Sequence, residues 1–271
     1  FNNNNDLYHK LTTSYTGIRT INQVTTTLMG TGLQNSRDFE VIENARKLQE
    51  GNEFTLNNRL GYISLATPLN ADEVLGVAFQ YTLNGVTYQV GEFSEQVPDN
   101  TKLMVCKLLK STVVNVRQPV WDLMMKNVYA IGAYNLNPQD FRLDVYYNNI
   151  ETGVDVPYLP YGAVNGQQLI RVLNCDRLSV NGDKIPDGMY DFIVGYTISD
   201  KNGRAYFPTS EPFGRSLANK FTQSDFPGAN KYIFTELYDS TKTVASFKQD
   251  KNRYKIKGSY RSSSGSEIAL N

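Results

Sequence analysis

Short stretches of the chain alternate apolar with polar residues, or are apolar throughout, and both patterns are typical of β-strands. Asn84-Gly85 stands between two of these stretches, and this dipeptide is the strongest local signal for a two-residue hairpin turn. Arg253 to Arg261 alternates most cleanly, with tyrosine and isoleucine on one side and cations on the other. Residues 53–65 predict a hairpin of two strand-like runs around a polar turn with Gly61. The other predicted strands are residues 75–81, 87–93, 103–109, 141–147, 169–173, 191–198, 204–207 and 253–261.

Helical signals are fewer. Asn35-Ser36 resembles a helix N-cap before residues 38–50, and Gly51 would end that helix. Pro119 suits a first helical position, and the apolar residues after it recur at helical spacing, which predicts a helix over about 119–130. Residues 212–221 predict another helix. The sequence therefore predicts an α+β, β-rich fold of mainly antiparallel sheets and hairpins with a few short helices.

The chain divides into three predicted parts. Residues 1–34 are polar with little period and predict an irregular lead-in. Residues 35–115 predict a first β-rich unit, and residues 116–271 a second β-rich unit that holds the helix at about 119–130. A length of 271 residues also suits one large domain.

Charge and composition exclude some classes of function. Lys plus Arg equals Asp plus Glu at 27 each, so no net field favours nucleic acid. The longest apolar runs fall far short of the roughly 20 residues of a membrane-spanning helix. Abundant tyrosine, asparagine, threonine and serine favour an extracytoplasmic β-protein. The opening Phe-Asn-Asn-Asn-Asn indicates a mature protein or an excised piece, and we expect the latter.

Few residues offer chemistry, and we expect no catalytic residue, no enzyme activity and no cofactor. The only histidine is His9, in the predicted lead-in, which disfavours nucleophilic triads and zinc sites. Cys106 and Cys175 either pair or serve as small buried hydrophobes. A glycoside hydrolase needs only two carboxylates and remains an alternative. Its candidates are Asp72, Glu73, Glu92, Asp144, Asp187 and Asp191.

The best ligand candidate lies in residues 181–191. Asp183, Asp187 and Asp191, with Gly188 for the bend, could supply the oxygen ligands that Ca²⁺ prefers. The spacing departs from an EF-hand loop, because the twelfth position is Val194 rather than glutamate. An Asx-rich turn before a strand is the alternative reading of the same residues.

Several segments in consistent order resemble the SprA/Sov family of giant, gliding-motility-related outer-membrane proteins of the Bacteroidetes type IX secretion system. They span residues 59–214 and contain no catalytic motif. The segments are RLGYISL (59–65), PLNADEVL (68–75), YQVGEFS (88–94), WDLMMKNVY (121–129), FRLDV (141–145), PDG with DF (186–192) and EPFG (211–214).

The resemblance implies a role in protein export. Members of this family form a very large β-barrel through which folded cargo leaves the cell, and long soluble insertions surround the barrel. This chain is too polar to be mostly barrel wall, so we expect an insertion, facing the cell exterior or alternatively the periplasm. The implied partners are the rest of the barrel, other type IX components and secreted cargo. A stand-alone adhesin or glycan-binding module is the alternative, and it requires an exposed Trp121, whereas the predicted helix would bury it.

Overall fold

The computed structural model describes residues 6–97, 99, 101–261 and 267–270. The predicted fold class is confirmed, since short strands form small antiparallel sheets and the helices are short. Within the described ranges, no helix combines the length and the apolar character that crossing a membrane requires. The chain divides into two compact units, here called unit 1 and unit 2, between Met124 and Met125.

Unit 1 begins with two helices and continues as three separate pairs of strands. Strand β1 pairs with β2, β3 with β6, and β4 with β5, all antiparallel. Short 3-10 helices occupy Thr16–Arg19, Ser94–Gln96 and Pro119–Leu123. The main elements are α1 (Leu7–Ser14), α2 (Ile21–Gly30), β1 (Phe54–Asn57), β2 (Tyr62–Leu65), β3 (Leu75–Val77), β4 (Phe79–Leu83), β5 (Val86–Val90) and β6 (Lys107–Lys110).

The core of unit 1 is small. Val24 and Leu28 lie one turn apart on α2 and are buried against Ile18 and Phe39. Helix α2 ends where Gly32 takes a positive φ and its amide donates to the carbonyl of Met29. Strands β1, β2, β4 and β5 contribute no residue to this cluster.

Unit 2 contains a three-stranded sheet in the order β10-β11-β7 and a four-stranded sheet in the order β13-β12-β8-β9. Five short 3-10 helices connect its described elements, at Pro138–Asp140, Gly162–Val164, Gln223–Asp225, Gly228–Tyr232 and Thr235–Leu237. The main elements are β7 (Val128–Ala130), β8 (Arg142–Asn148), β9 (Asp155–Val156), α3 (Leu169–Val172), β10 (Ile198–Ser199), β11 (Arg204–Tyr206), α4 (Arg215–Ala218), α5 (Lys242–Phe247), β12 (Tyr254–Arg261) and β13 (Glu267–Leu270).

The alternation predicted for β8 is confirmed. Leu143, Val145 and Tyr147 are buried, whereas Arg142 is exposed. Strand β12 lies beside β8 with Tyr254 opposite Tyr147. The aromatic rings continue the packing, since Phe213 stacks on Tyr254 with ring centroids 4.4 Å apart. This core is much larger than the core of unit 1.

Two predictions for the first fifty residues are wrong. The predicted irregular lead-in contains α1 and α2, whose few apolar residues gave little periodic signal. The predicted helix over 38–50 is absent. Ser36 instead has a positive φ, and the Asp38 carboxylate accepts the Gln34 amide, so local side-chain bonding replaces the helix. The Glu40 carboxylate accepts the hydroxyl of Ser111.

Two further predictions fail for tertiary reasons. The helix predicted over 119–130 is only a 3-10 helix that ends at Leu123, because β7 pairs with β11 instead. The strand predicted at 169–173 is the helical turn α3, whose apolar residues are buried on most sides and so carry no period. Helix α4 is shorter than the predicted 212–221. Cys106 and Cys175 are both free thiols.

Candidate functional site

The acidic loop of unit 2 directs its carboxylates to its own backbone. Asp191 accepts the amides of Arg177 and Leu178 at 2.9 and 3.1 Å. Asp187 accepts the amides of Val180 and Met189 at 2.8 and 3.0 Å. These bonds form the Asx-rich turn that the sequence offered as the alternative to a calcium site.

The remaining acidic residues of the loop complete this picture. Asp183 is exposed, whereas Asp176 is buried and accepts the amides of Asp187 and Gly188, each at 3.0 Å. Burial raises the pKa of Asp191, and the charges of Asp176 and Asp187 add to this effect. In the described part of the chain, no three His, Cys, Asp or Glu side chains are grouped so that they could hold a metal ion. Asp176 was missed at the sequence level because nothing local marks it.

Unit 2 also contains a small apolar cavity of about 230 Å³. Its walls include Tyr129, Phe213 and Tyr254. The nearby hydroxyl groups are engaged, since Tyr254 donates to the carbonyl of Tyr232 and Tyr129 contacts the hydroxyl of Tyr238 at 3.2 Å. Burial raises the pKa of Tyr238 to about 12, so this phenol is neutral at physiological pH. The cavity is part of the core packing.

Unit 1 contains a buried ion pair. Glu92 is 2% exposed, and both of its oxygens accept from the Arg19 guanidinium, at 2.6 and 2.5 Å. The Tyr8 hydroxyl and the Val105 amide also donate to Glu92, at 2.5 and 2.8 Å. Arg19 donates in addition to the carbonyl of Leu103 at 3.0 Å. We call this group of Tyr8, Arg19, Glu92 and Val105 the clamp.

The hydrogen bonds of the clamp outweigh the cost of burial. Burial alone would raise the pKa of Glu92, but the bonds from Arg19, Tyr8 and the Val105 amide lower it below its ordinary value. Glu92 is therefore ionised at neutral pH and fully hydrogen-bonded. It was a candidate carboxylate for a hydrolase, and the structure places it in a structural ion pair.

The clamp holds the base of the hairpin formed by β4 and β5, which we call the arm. Gln89 near this base is 5% exposed, and its amide donates to the carbonyl of Gly91 and to the side chain of Gln96, at 2.9 and 2.6 Å. Asn84 and Gly85 form the tip, and both have the positive φ that a two-residue hairpin turn requires. The predicted hairpin is confirmed here.

The two faces of the arm differ completely in chemistry. Cross-strand partners share a face, so the register places six apolar or aromatic side chains on one face and four polar ones on the other. On the polar face, Gln80 bonds Gln89 at 3.0 Å and Thr82 approaches Thr87 at 3.3 Å. The apolar face consists of Phe79, Tyr81, Leu83, Val86, Tyr88 and Val90.

The polarity of the arm is inverted relative to an ordinary amphipathic hairpin. Its buried member, Gln89, belongs to the polar face, and no member of the apolar face is buried. Leu83 and Phe79 are 56% and 41% exposed. Tyr81 and Tyr88 stack on each other with centroids 5.1 Å apart. An apolar face left open in this way is typical of an interaction site.

The first hairpin of unit 1 repeats this design. Its register places Phe54, Leu56, Ile63 and Leu65 on one face, opposite Thr55, Ser64, Asn57 and Tyr62. None of the four apolar residues is buried, and none belongs to a described core cluster. Unit 1 thus presents two hairpins whose apolar faces are not covered by its own core.

The sequence matches none of the protein-family models and none of the curated proteins with which it was compared.

Proposed function

We propose that the chain is a non-catalytic interaction module whose arm docks against another polypeptide. The observation that supports this proposal is the exposed apolar face of the arm, whose base is held in place by the clamp. Aromatic residues such as Phe79, Tyr81 and Tyr88 are the types that supply most binding energy at protein interfaces. Prepositioning by a buried ion pair reduces the entropy lost on binding.

We further propose that the module is an insertion of the type IX secretion translocon and contributes to protein export across the outer membrane. The resemblance of residues 59–214 to the SprA/Sov family supports this context. The proposed location is the extracellular side of the barrel, with the periplasmic side as the alternative. The proposed partners are the barrel, other type IX components and cargo, and the proposal includes no cofactor.

The test changes the two faces of the arm separately in a strain whose own copy of the gene carries the change. The variant F79K/L83K places two charges on the apolar face. The matched control T82K/T87K places two charges on exposed polar positions of the same hairpin. We expect F79K/L83K to reduce secreted type IX cargo in the culture medium at least tenfold and T82K/T87K to leave it near the wild-type amount.

Two measurements make this test decisive. Urea unfolding followed by the fluorescence of Trp121 checks that both variants fold, because this only tryptophan belongs to unit 1. An epitope inserted between the exposed residues Glu151 and Thr152 reports the side of the membrane, since an impermeant antibody reaches it on intact cells only if it faces outward. Unchanged secretion in a folded F79K/L83K variant contradicts the proposal.

One observation favours the alternative of a surface-binding module for glycans. Trp121 is half-buried rather than enclosed by a helix, and Met124, three residues later, is exposed. An indole of this kind can stack on a sugar ring. Saturable quenching of Trp121 fluorescence by soluble oligosaccharides would support this function, and unchanged fluorescence would exclude Trp121 as the binding residue.

A further inference from the structure

One segment of unit 2 concentrates positive charge. Residues 241–257 contain six of the 27 basic residues of the chain and one of its 27 acidic residues, Asp250. This segment therefore carries a net charge of +5, and the rest of the chain carries −5. The segment comprises α5, the turn after it and the first half of β12. A chain that is neutral as a whole thus presents one strongly basic segment.

The lysines at the two ends of α5 have no acidic partner among the described residues. Lys242 begins the helix and is exposed, and Lys248 follows its last residue and donates to the hydroxyl of Ser240 at 3.2 Å. Neither lysine forms an ion pair with a described residue. The charge that can attract an anionic partner therefore lies at α5. The other lysines of the segment are paired, Lys251 with Glu236 at 3.0 Å, and Lys255 and Lys257 with Asp155 at 3.0 and 2.7 Å.

Helix α5 also exposes two apolar side chains between these lysines. Phe247 is 80% exposed and Val244 is 49% exposed. The two residues are three positions apart, so they lie on the same side of the helix. Neither belongs to a described core cluster. The helix thus combines an exposed aromatic ring with flanking cations.

The isolation of these side chains favours a lipid surface over a folded protein as their partner. Thr243, Ser246 and Gln249 around them are polar and exposed, so the apolar area is limited to two side chains, roughly 250 Å². A stable protein interface buries about 800 Å² on each partner and requires a complementary surface. A bilayer requires no such surface, because its interface accepts single aromatic side chains while anionic headgroups attract lysines.

We infer, resting on the proposed location at the outer membrane, that α5 is a contact site for an anionic lipid surface. Phe247 and Val244 enter the boundary between headgroups and acyl chains, and Lys242 and Lys248 lie at the level of the headgroup phosphates. Each lysine near an anionic surface strengthens partitioning about fivefold. The contact is weak by itself and acts on a protein that is already held at the membrane, where it orients unit 2 against the lipid.

The first test measures insertion of the ring, using the full chain and vesicles of equal parts phosphatidylglycerol and phosphatidylcholine. F247W places a fluorescent ring at the contact, and V180W is the matched control, because Val180 is also 80% exposed and belongs to unit 2. Acyl chains that carry bromine quench a tryptophan only when it lies within the bilayer. We expect these vesicles to quench F247W at least twofold more than V180W or the wild-type protein, whose Trp121 gives the background.

The second test measures the charge. K242E/K248E should lower the fraction of protein that floats with the anionic vesicles at least tenfold, and vesicles of phosphatidylcholine alone should bind neither protein. K184E/K201E is the matched control, because it makes the same charge change at two exposed lysines elsewhere in unit 2, and it should bind as the wild-type chain does. Calorimetry should give every variant the wild-type melting temperature, since no substituted residue is buried.

The outcomes distinguish a lipid surface from an acidic protein. If K242E/K248E abolishes binding but F247W is not quenched, the segment is an electrostatic patch for acidic partners and the lipid contact is overturned. An equal loss of binding in K184E/K201E attributes the binding to net charge and overturns it as well. These results leave the proposed function intact if F79K/L83K reduces secretion, whereas unchanged secretion in that variant overturns the proposed function whatever the vesicles show.

Discussion

Breaking the clamp should destabilise unit 1 strongly, because Glu92 would stay buried without its cation. The side chains of Arg19 and Glu92 are 22% and 3% exposed. Removing one partner of a buried pair costs about 3–5 kcal/mol, and the partial exposure of Arg19 favours the lower end, about 3 kcal/mol for Arg19→Met. Glu92→Gln retains the hydrogen bonds from Tyr8 and Val105 and removes the charge, so we expect about 2 kcal/mol.

The double variant R19M/E92Q separates charge pairing from simple packing. Once residue 92 is neutral, loss of the guanidinium leaves no uncompensated charge, so the double variant should cost about as much as E92Q alone. The expected coupling between the two sites is then about 3 kcal/mol. Arg46→Met is the matched control, since Arg46 pairs with Glu53 at the surface with 72% and 33% side-chain exposure, and its loss should cost below about 1 kcal/mol.

The assay is urea unfolding followed by the fluorescence of Trp121, which reports on unit 1. With a slope of about 2 kcal/mol per molar urea, the R19M midpoint should fall by about 1.5 M and the R46M midpoint by less than about 0.5 M. The pKa of Glu92 is lowered in the folded state, so its contribution to stability is present above its ordinary pKa and is lost as the pH falls through the folded pKa. The difference between wild type and R19M should therefore shrink below about pH 4. Strictly additive single-variant costs, or a pH-independent R19M effect, would refute the role of charge pairing.

Three further predictions concern unit 2 and the cysteines. A Cβ atom at Gly258 would lie 1.9 Å from a backbone carbonyl oxygen. We therefore expect G258A to cost about 3 kcal/mol and to lower the melting temperature by about 6–12 °C in calorimetry. G30A is the control and should change the melting temperature little, because no atom lies within 4 Å of the added Cβ. Ellman's reagent should label Cys106 rapidly in the native protein and Cys175 only after denaturation, because Cys175 is buried and burial raises its pKa. Rapid labelling of both thiols in the native protein would contradict this prediction. Asp191→Ala should lower the melting temperature equally in EDTA and in calcium, because its carboxylate caps backbone amides; destabilisation confined to the calcium sample would restore the calcium site.

Local chemistry explains which elements could be predicted. The hairpin at Asn84-Gly85 is encoded by two residues that tolerate positive φ, and β8 by an alternation that its burial reproduces. Residues 119–130 also carry a real helical period, but β11 pairs with Val128–Ala130 and the ladder prevails over the local preference. Periodicity records what a segment could bury and does not identify the neighbour that is present.

The candidate site shows the same limit more sharply. Arg19 and Glu92 are 73 residues apart in sequence, and no spacing rule connects them. Asp187 and Asp191 were found as an acidic loop, but the sequence could not choose between a cation and their own backbone amides as the group they bind. The two carboxylates accept backbone amides because the folded loop brings those amides to them, and the sequence does not specify that geometry.

The alternation in the arm was visible in the sequence, yet the ordinary expectation places its apolar face inside. In the observed arrangement, burying the polar side chain of Gln89 costs little stability, because its amide donates hydrogen bonds to Gly91 and Gln96. Leaving the apolar face exposed loses more stability, since complete burial of a side chain such as Phe79 or Leu83 would contribute about 1.5–3 kcal/mol. The isolated chain forgoes this stabilisation, and a partner that covers the face would recover it. The energy missing from the fold is thus available for binding, which is the physical basis for assigning the arm a docking role.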